Sequence, residues 1–171
     1  MPNALTITYL FYMFVAMYFM FLFAIVFVQN RESIFQIPKP KRNFSVSVLI
    51  PAYNEEKSLK GTVESVLESD YKSSREVIII NDGSNDGTLK IARDLEKKYL
   101  KVRVLDKKNS GKADSLNMAI KIAKGELIAV VDADSYPDKN AISSMVGYFN
   151  DSNVGAVTTM ILVRNRYNFL G

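Results

Sequence analysis

The sequence predicts an α/β fold, a mostly parallel sheet with helices on both faces, preceded by one N-terminal transmembrane helix. Three observations predict it. No charged side chain occurs from Met1 to Asn30. Beyond that stretch, short runs rich in Val, Ile and Leu alternate with segments of helical periodicity, the pattern of parallel strands covered on both faces. Four of the five expected strands end in acidic, amide or glycine residues, at 51–56, 81–84, 107–112 and 132–134. The carboxyl ends of strands form the ligand crevice of an open α/β sheet. Four such ends in succession point to one site for a phosphorylated ligand and a divalent metal.

Ala4 to Val28 is an almost unbroken run of Leu, Ile, Val, Phe, Tyr and Met. Roughly 20 residues of helix cross the hydrocarbon layer, so 4–28 is long enough to span it. Tyr9 and Tyr12 suit an interfacial belt, while Tyr18 lies deeper. A secretory signal needs a basic start, a shorter apolar run and a small-residue cleavage site. This chain has no Lys or Arg at its start, and no Ala-x-Ala follows the run. A buried core helix is the other alternative, and an uncleaved span is favoured over both. Arg31, Lys39, Lys41 and Arg42 follow the run and nothing basic precedes it. The positive-inside rule then puts the remainder in the cytoplasm, as a single-pass protein of the cell membrane. The lipid bilayer is thus one expected partner, with the basic patch at 39–42 adding attraction to anionic lipid.

Two classes are set aside. Cysteine is absent, so there is no disulfide framework, in keeping with a reducing compartment. The pI of about 9.2 raises a nucleic-acid partner. Acidic and basic residues are interspersed, however, and there is no arginine-rich arm or basic aromatic strand, so nucleic acid is not expected.

The elements follow in order. Residues 29–44, with Pro38 and Pro40, read as a linker, and 45–171 as one domain. Val46–Ile50 is a buried strand. Glu55–Glu68 is helical, with Leu59, Val63, Val66 and Leu67 on one face. Glu76–Ile80 is the second strand and Asp86–Tyr99 a helix with Leu89, Ala92 and Leu95 inward. Lys101–Leu105 is the third strand, followed by a helix over Ala113–Ala123. Leu127–Val131 is a fully apolar fourth strand. Pro137 suits the first turn of a further helix carrying Ile142, Met145, Val146 and Phe149. Val154–Val163 is the fifth strand.

Each polar cluster has a chemical and a structural reading. Asp132 and Asp134 flank one residue, so in extended backbone both carboxylates face the same way. Two carboxylates in one place repel unless a cation lies between them. Magnesium and similar hard cations take carboxylate and phosphate oxygens. With no His or Cys in the chain, a zinc site of the usual kind is excluded. The structural alternative is a capping pair before the next helix. Asp82-Gly83-Ser84-Asn85-Asp86-Gly87 matches the first half of a calcium loop, but its twelfth position is Arg93 and calcium is rejected. Asp86 suits a helix cap, whereas Asp82, at the strand end, is the better ligand contact. Asn109-Ser110-Gly111-Lys112 is half a P-loop: Asp106 and Ala113 stand where the full pattern needs Gly and Ser or Thr. What remains is a helix start with a lysine and free N–H groups, which favours anions. Glu55 and Glu56 favour a helix start through its dipole, while Tyr53 and Asn54 suit contact with a planar base.

Taken together, "VSVLIPAYNEE", "VIIINDGSNDGT", "NSGKADSLNMAI" and "VVDADSYPD" resemble, in order and spacing, the motifs of family 2 glycosyltransferases. The resemblance runs from about Val46 to Val163. The apolar helix and "VGAV" at 154–157 are most similar to processive membrane synthases of the poly-N-acetylglucosamine, hyaluronan and chitin type. The resemblance implies a GT-A fold, a UDP-sugar donor, and Mg2+ or Mn2+. It implies that Tyr53 and Glu55 line the nucleotide site, that Asp82 binds the uracil ring and that Lys112 lies near the nucleotide. Asp132 then lies near ribose and diphosphate, and Asp134 coordinates the metal. Thr159 departs from the pattern, where such synthases often carry Gly.

The implied reaction is inverting displacement of UDP from the anomeric carbon by an acceptor hydroxyl, that of a polysaccharide in this family's manner. The hydroxyl needs a general base. The family's acceptor-side carboxylate and its Gln-x-x-Arg-Trp motif lie beyond the matching region, and the chain has no Trp. The expectation is donor binding without efficient transfer and no catalytic base before Gly171, the chain being either a truncated product or half of a split enzyme that a second polypeptide completes. The different-class alternative is a non-catalytic nucleotide-sugar-binding or regulatory module. A nucleotidyltransferase is disfavoured for want of its Gly-rich opening loop.

Overall fold

The computed structural model describes residues 3–159, apart from the side chains of 33–35. The chain divides into two units, Met1–Ile37 and Pro38–Gly171.

The first unit is helix α1, Ala4–Phe35. Asn3 caps it by accepting the Thr6 N–H at 2.9 Å, which satisfies one orphan donor of the first turn. Within its Ala4–Glu32 segment the most apolar 18-residue window has a mean hydropathy of 2.5, and none of it is buried. At 1.5 Å per residue these 29 residues measure about 44 Å, long and apolar enough to cross a membrane. The helix runs past residue 28 through Gln29–Glu32, because nothing in that polar stretch breaks a helix and Pro comes only at position 38.

Among the described residues the second unit holds a four-stranded sheet in the order β3-β2-β1-β4. The strands are β1 (Val46–Ala52), β2 (Arg75–Asp82), β3 (Val102–Lys107) and β4 (Leu127–Val130). All three neighbouring pairs are parallel. The connections are α2 (Leu59–Leu67), α3 (Thr88–Lys98) and α4 (Lys112–Ile120). Helix α5 (Ala141–Val146) follows β4 and runs into a 3-10 turn over Gly147–Asn150.

Period-2 alternation divides the core into two layers. Val46, Val48 and Ile50 of β1 with Val77 and Ile79 of β2 face Leu59, Val63 and Val66 of α2, Ala92 and Leu95 of α3, and Ile142 and Val146 of α5. Leu49, Ile78 and Ile80 face the opposite way, towards Ala119 and Leu116 of α4. Burying each of the larger side chains contributes roughly 1.5–3 kcal/mol. Both sheet faces therefore carry helices, as expected.

Several local expectations change. Strand β4 is not fully buried: Ile128 and Val130 are 40% and 50% exposed. Helix α4 packs on β1 and β2, and β4 is the outermost strand among the described residues, so that face of β4 stays open. Helix α2 begins at Leu59, not at Glu55, because a turn intervenes. Pro137 lies in the loop before α5, not in its first turn. Of the expected fifth strand, 154–159 lie in no strand, since an apolar run becomes a strand only when a ladder partner is available. The remainder, 160–163, lies outside the described residues. The segment after Pro38 is docked against this unit: Asn150 accepts the Lys41 N–H at 2.8 Å and donates to the Lys39 carbonyl at 2.9 Å.

Candidate functional site

Strand register brings the polar clusters together. Ala52 lies opposite Asn81, and Asp82 opposite Lys107. On the other side Leu49 lies opposite Val130, and the chain runs on through Val131 to Asp132. Parallel strands in this register end side by side, so their following loops share one rim. A cleft of about 490 Å³ opens there. Tyr53, Glu55, Asp82, Lys112, Asp132 and Asp134 all line it.

The loops on this rim are tied to one another. Asn54 adopts φ 57°, a left-handed conformation that Asn tolerates better than most residues. Its N–H donates to Ser84 Oγ at 3.1 Å and its Oδ1 accepts the Asn85 N–H at 2.9 Å. Asn54 therefore staples two loops and is not among the lining residues, contrary to a base-contacting role. Glu56 acts similarly. It does not start α2 but accepts the Gly87 N–H at 2.8 Å, before the first turn of α3. The cap residue of α3 is Gly87, not Asp86; Asp86, one position earlier, accepts the Thr88 N–H at 3.0 Å and so satisfies a donor of the first turn. Hydrogen bonds from Thr88 hold the exposed Asp86 carboxyl below its ordinary range.

Asp82 is the most heavily engaged of the six. Its side chain is 7% exposed. Oδ1 accepts from Lys107 Nζ and from the Ser110 N–H at 3.0 Å, and Oδ2 accepts the Gly111 N–H at 2.9 Å. Burial alone would raise this carboxyl. The bonds from Lys107, Ser110 and Gly111 outweigh that and hold it below the ordinary carboxylate range. Two N–H groups expected to be open to an anion at the start of α4 are thus engaged by Asp82 instead. Gly111 makes the approach possible with φ 92°, which side-chain-bearing residues rarely adopt.

Lys112, the first residue of α4, pairs with Asp132. Both side chains are more than half exposed, so the pair adds little stability and is free to exchange partners. The Asp132–Asp134 loop is anchored from behind by α2. Thr62 Oγ1 donates to the Ala133 carbonyl at 2.8 Å in a buried contact. Gly61 lets the Tyr136 ring lie against α2, since a Cβ there would meet Tyr136 Cε1 at 2.7 Å.

The donor set suits a hard divalent cation carried with a phosphorylated ligand. No cluster of three or more His, Cys, Asp or Glu able to hold a metal occurs among the described residues. Four carboxylates (Glu55, Asp82, Asp132, Asp134) nevertheless line the cleft against the single lysine Lys112. A diphosphate entering this field alone would be repelled. A cation held by the Asp132–Asp134 loop would remove that repulsion.

Sequence reasoning missed Lys107, Thr62 and Gly61. Lys107 was legible as a strand-end residue, and its place opposite Asp82 follows once β2 and β3 are aligned by their ends. Thr62 and Gly61 gave no signal, because they lie 70 or more positions from the loop they hold.

The comparisons with known proteins agree with this geometry. The family model for glycosyl transferase family 2 matches residues 47–170. A probable glycosyltransferase of Bacillus subtilis, YdaM, is 37% identical over 141 residues, covering 79% of this chain and 32% of the relative. A poly-beta-1,6-N-acetyl-D-glucosamine synthase of Staphylococcus epidermidis is 38% identical over 131 residues, covering 74% and 31%. The chain thus spans about a third of these relatives. Among solved structures, the mannosyltransferase PcManGT of Pyrobaculum calidifontis, in complex with GDP-Man and Mn2+, matches with a TM-score of 0.66 at 25% identity, covering 77% of this chain and 41% of that one. S. aureus TarS 1-349 in complex with UDP-GlcNAc matches with a TM-score of 0.56 at 31% identity, covering 62% and 31%. The expected parallel, GT-A-like sheet is what these neighbours share, and this chain belongs to glycosyl transferase family 2.

Proposed function

We propose that this chain is the donor-binding part of a membrane-anchored glycosyltransferase, one that binds a UDP-sugar with Mg2+ or Mn2+ for inverting transfer to a polysaccharide. The observation that carries the reading is the meeting of Tyr53, Glu55, Asp82, Lys112, Asp132 and Asp134 on one cleft at the strand carboxyl ends. Tyr53, 48% exposed at the mouth, offers a ring face to the base. Asp82 offers a fixed acceptor to an N–H on the base edge. Lys112 exchanges Asp132 for a phosphate oxygen, and Asp132 turns to the ribose and diphosphate. Asp134 lines the cleft with no protein partner among the described residues, which leaves its oxygens available to a cation. A cation held there supplies positive charge beside the departing diphosphate. Four loops braced against one another keep these groups in place before the ligand arrives, which limits the ordering needed on binding. Support for a UDP donor comes from TarS and for a polysaccharide product from the poly-beta-1,6-N-acetyl-D-glucosamine synthases. Helix α1 serves as the anchor, with the basic residues after it on the cytoplasmic side.

The test is calorimetric titration of UDP-N-acetylglucosamine and UDP-glucose into the full chain in detergent, with and without Mn2+. Saturable binding that needs the metal is expected. Absence of binding to either donor with Mn2+ present would overturn the reading.

A further inference from the structure

We propose that Lys107 is a positioning residue of this cleft: it pins the Asp82 carboxylate, acts on the ligand only through it, and so fixes a preference for nucleobases that present a ring N–H. The inference rests on the donor-site reading above.

The geometry is specific. Lys107 and Asp82 end neighbouring parallel strands in direct register. Asp82 lines the cleft and Lys107 does not. Both side chains are 7% exposed, so the ammonium is withheld from solvent and from ligand alike. Lys107 Nζ also donates to Ser110 Oγ and, at 3.3 Å, to Ser115 Oγ, and Asp114 of α4 lies 3.7 Å away. A flexible lysine held by four oxygens at a strand end is immobile. Together with the Ser110 N–H it fills the acceptor positions of Asp82 Oδ1. Oδ2 has one bond, from Gly111, and a carboxylate oxygen accepts two. One acceptor position of Oδ2 is therefore open, on a residue that lines the cleft.

A carboxylate held ionised accepts and cannot donate. Uracil presents a ring N–H to it. Cytosine puts an unprotonated ring nitrogen at the same place, lone pair against lone pair. Without Lys107 the buried carboxyl takes up a proton more readily and becomes a donor, which suits cytosine instead. The charged or titratable groups around Asp82 are Lys107 from β3, Asp114 and Lys112 from α4, Asp132 after β4, and Tyr53 and Glu55 after β1.

The experiment titrates UDP and CDP, with Mn2+, into the full chain and into Lys107→Met, Asp82→Asn and the double variant. The range runs from about pH 5.5 to 8, where an ordinary carboxylate stays ionised. Wild type should prefer UDP by about tenfold or more, with little pH dependence. Lys107→Met should lose about tenfold in UDP affinity near neutral pH, lose further on acidification, and lose less for CDP. In the Asp82→Asn background the same change should have little added effect. Equal losses for both nucleotides with an unchanged pH profile would mean that Lys107 only supports the fold, and would overturn the proposal. So would full UDP affinity in Lys107→Met. If the variants do not fold, wild type still decides: equal affinity for UDP and CDP sinks it. Wild type that binds neither nucleotide refutes the donor-site reading itself, a result distinguishable from these.

Discussion

Thr62 in α2 donates its hydroxyl to the carbonyl of Ala133, between the two aspartates of the β4 loop, at 2.8 Å and fully buried. A helix on the far side of β1 in sequence thus holds the loop that carries Asp132 and Asp134. Thr62→Val keeps the shape and removes the donor. It should destabilise the chain by about 1–3 kcal/mol, the range for leaving a buried carbonyl unpaired. Metal-dependent UDP affinity should fall with it, since the loop loses its anchor. Thermal unfolding and calorimetry on the same preparation check both; an unchanged melting temperature would show that the bond contributes nothing.

Asp134→Ala should abolish metal-dependent UDP binding and leave the fold intact. The carboxylate has no protein partner among the described residues, and its removal relieves repulsion with Asp132. Stability without metal should therefore stay within about 0.5 kcal/mol or rise slightly. Unchanged UDP affinity in Mn2+ would remove Asp134 from the site.

Gly83→Ala tests the contact between two crevice loops. Gly83 has φ +69°, and a Cβ there would lie 2.6 Å from the Asn109 backbone nitrogen. Neither strain nor contact can be relieved by turning a side chain. A loss of about 1–3 kcal/mol is expected, with weaker UDP binding because the 109–111 backbone is displaced from Asp82. Wild-type stability and affinity in this variant would contradict the loop geometry.

Glu76 predicts a pH dependence away from the cleft. Its carboxylate accepts the Ser47 hydroxyl at 2.7 Å, the Lys124 N–H at 2.6 Å and Arg103 Nη1 at 3.2 Å. Burial works to raise this carboxyl, but these three donors together hold it below its ordinary range. A depressed folded value means stability that is present above the unfolded value of about 4.3 and lost as pH falls through the folded one. Glu76→Gln should destabilise by about 1–2 kcal/mol near neutral pH, and the gap to wild type should close in acid. A constant gap from neutral pH down to pH ~3 would show that the charge plays no part.

Gly147→Ala should loosen the segment that follows Pro38. A Cβ at Gly147 would lie 1.6 Å from the Pro38 carbonyl oxygen, so one backbone must move. A cost of about 1–3 kcal/mol is expected. Faster proteolysis between Pro38 and Arg42 should accompany it, and an unaltered cleavage pattern would argue that the segment was never held.

The sequence by itself determined the alternation of strands and helices, the apolar N-terminal helix and the six residues at the strand ends. Those features are local: hydrophobic period, turn residues and composition act within a few positions of the chain. It misjudged what depends on neighbours. Glu56 and Asn54 looked like a helix start and a ligand contact, yet they close loops 31 positions away. The exposure of Ile128 and Val130 depends on how far α4 reaches across the sheet, not on their own apolarity. Only the tertiary structure decided that Lys107 faces Asp82 and that Thr62 holds Ala133. Parallel strands are joined through helices, so residues 25 and 71 positions apart become partners by register and packing, and no local pattern encodes that register.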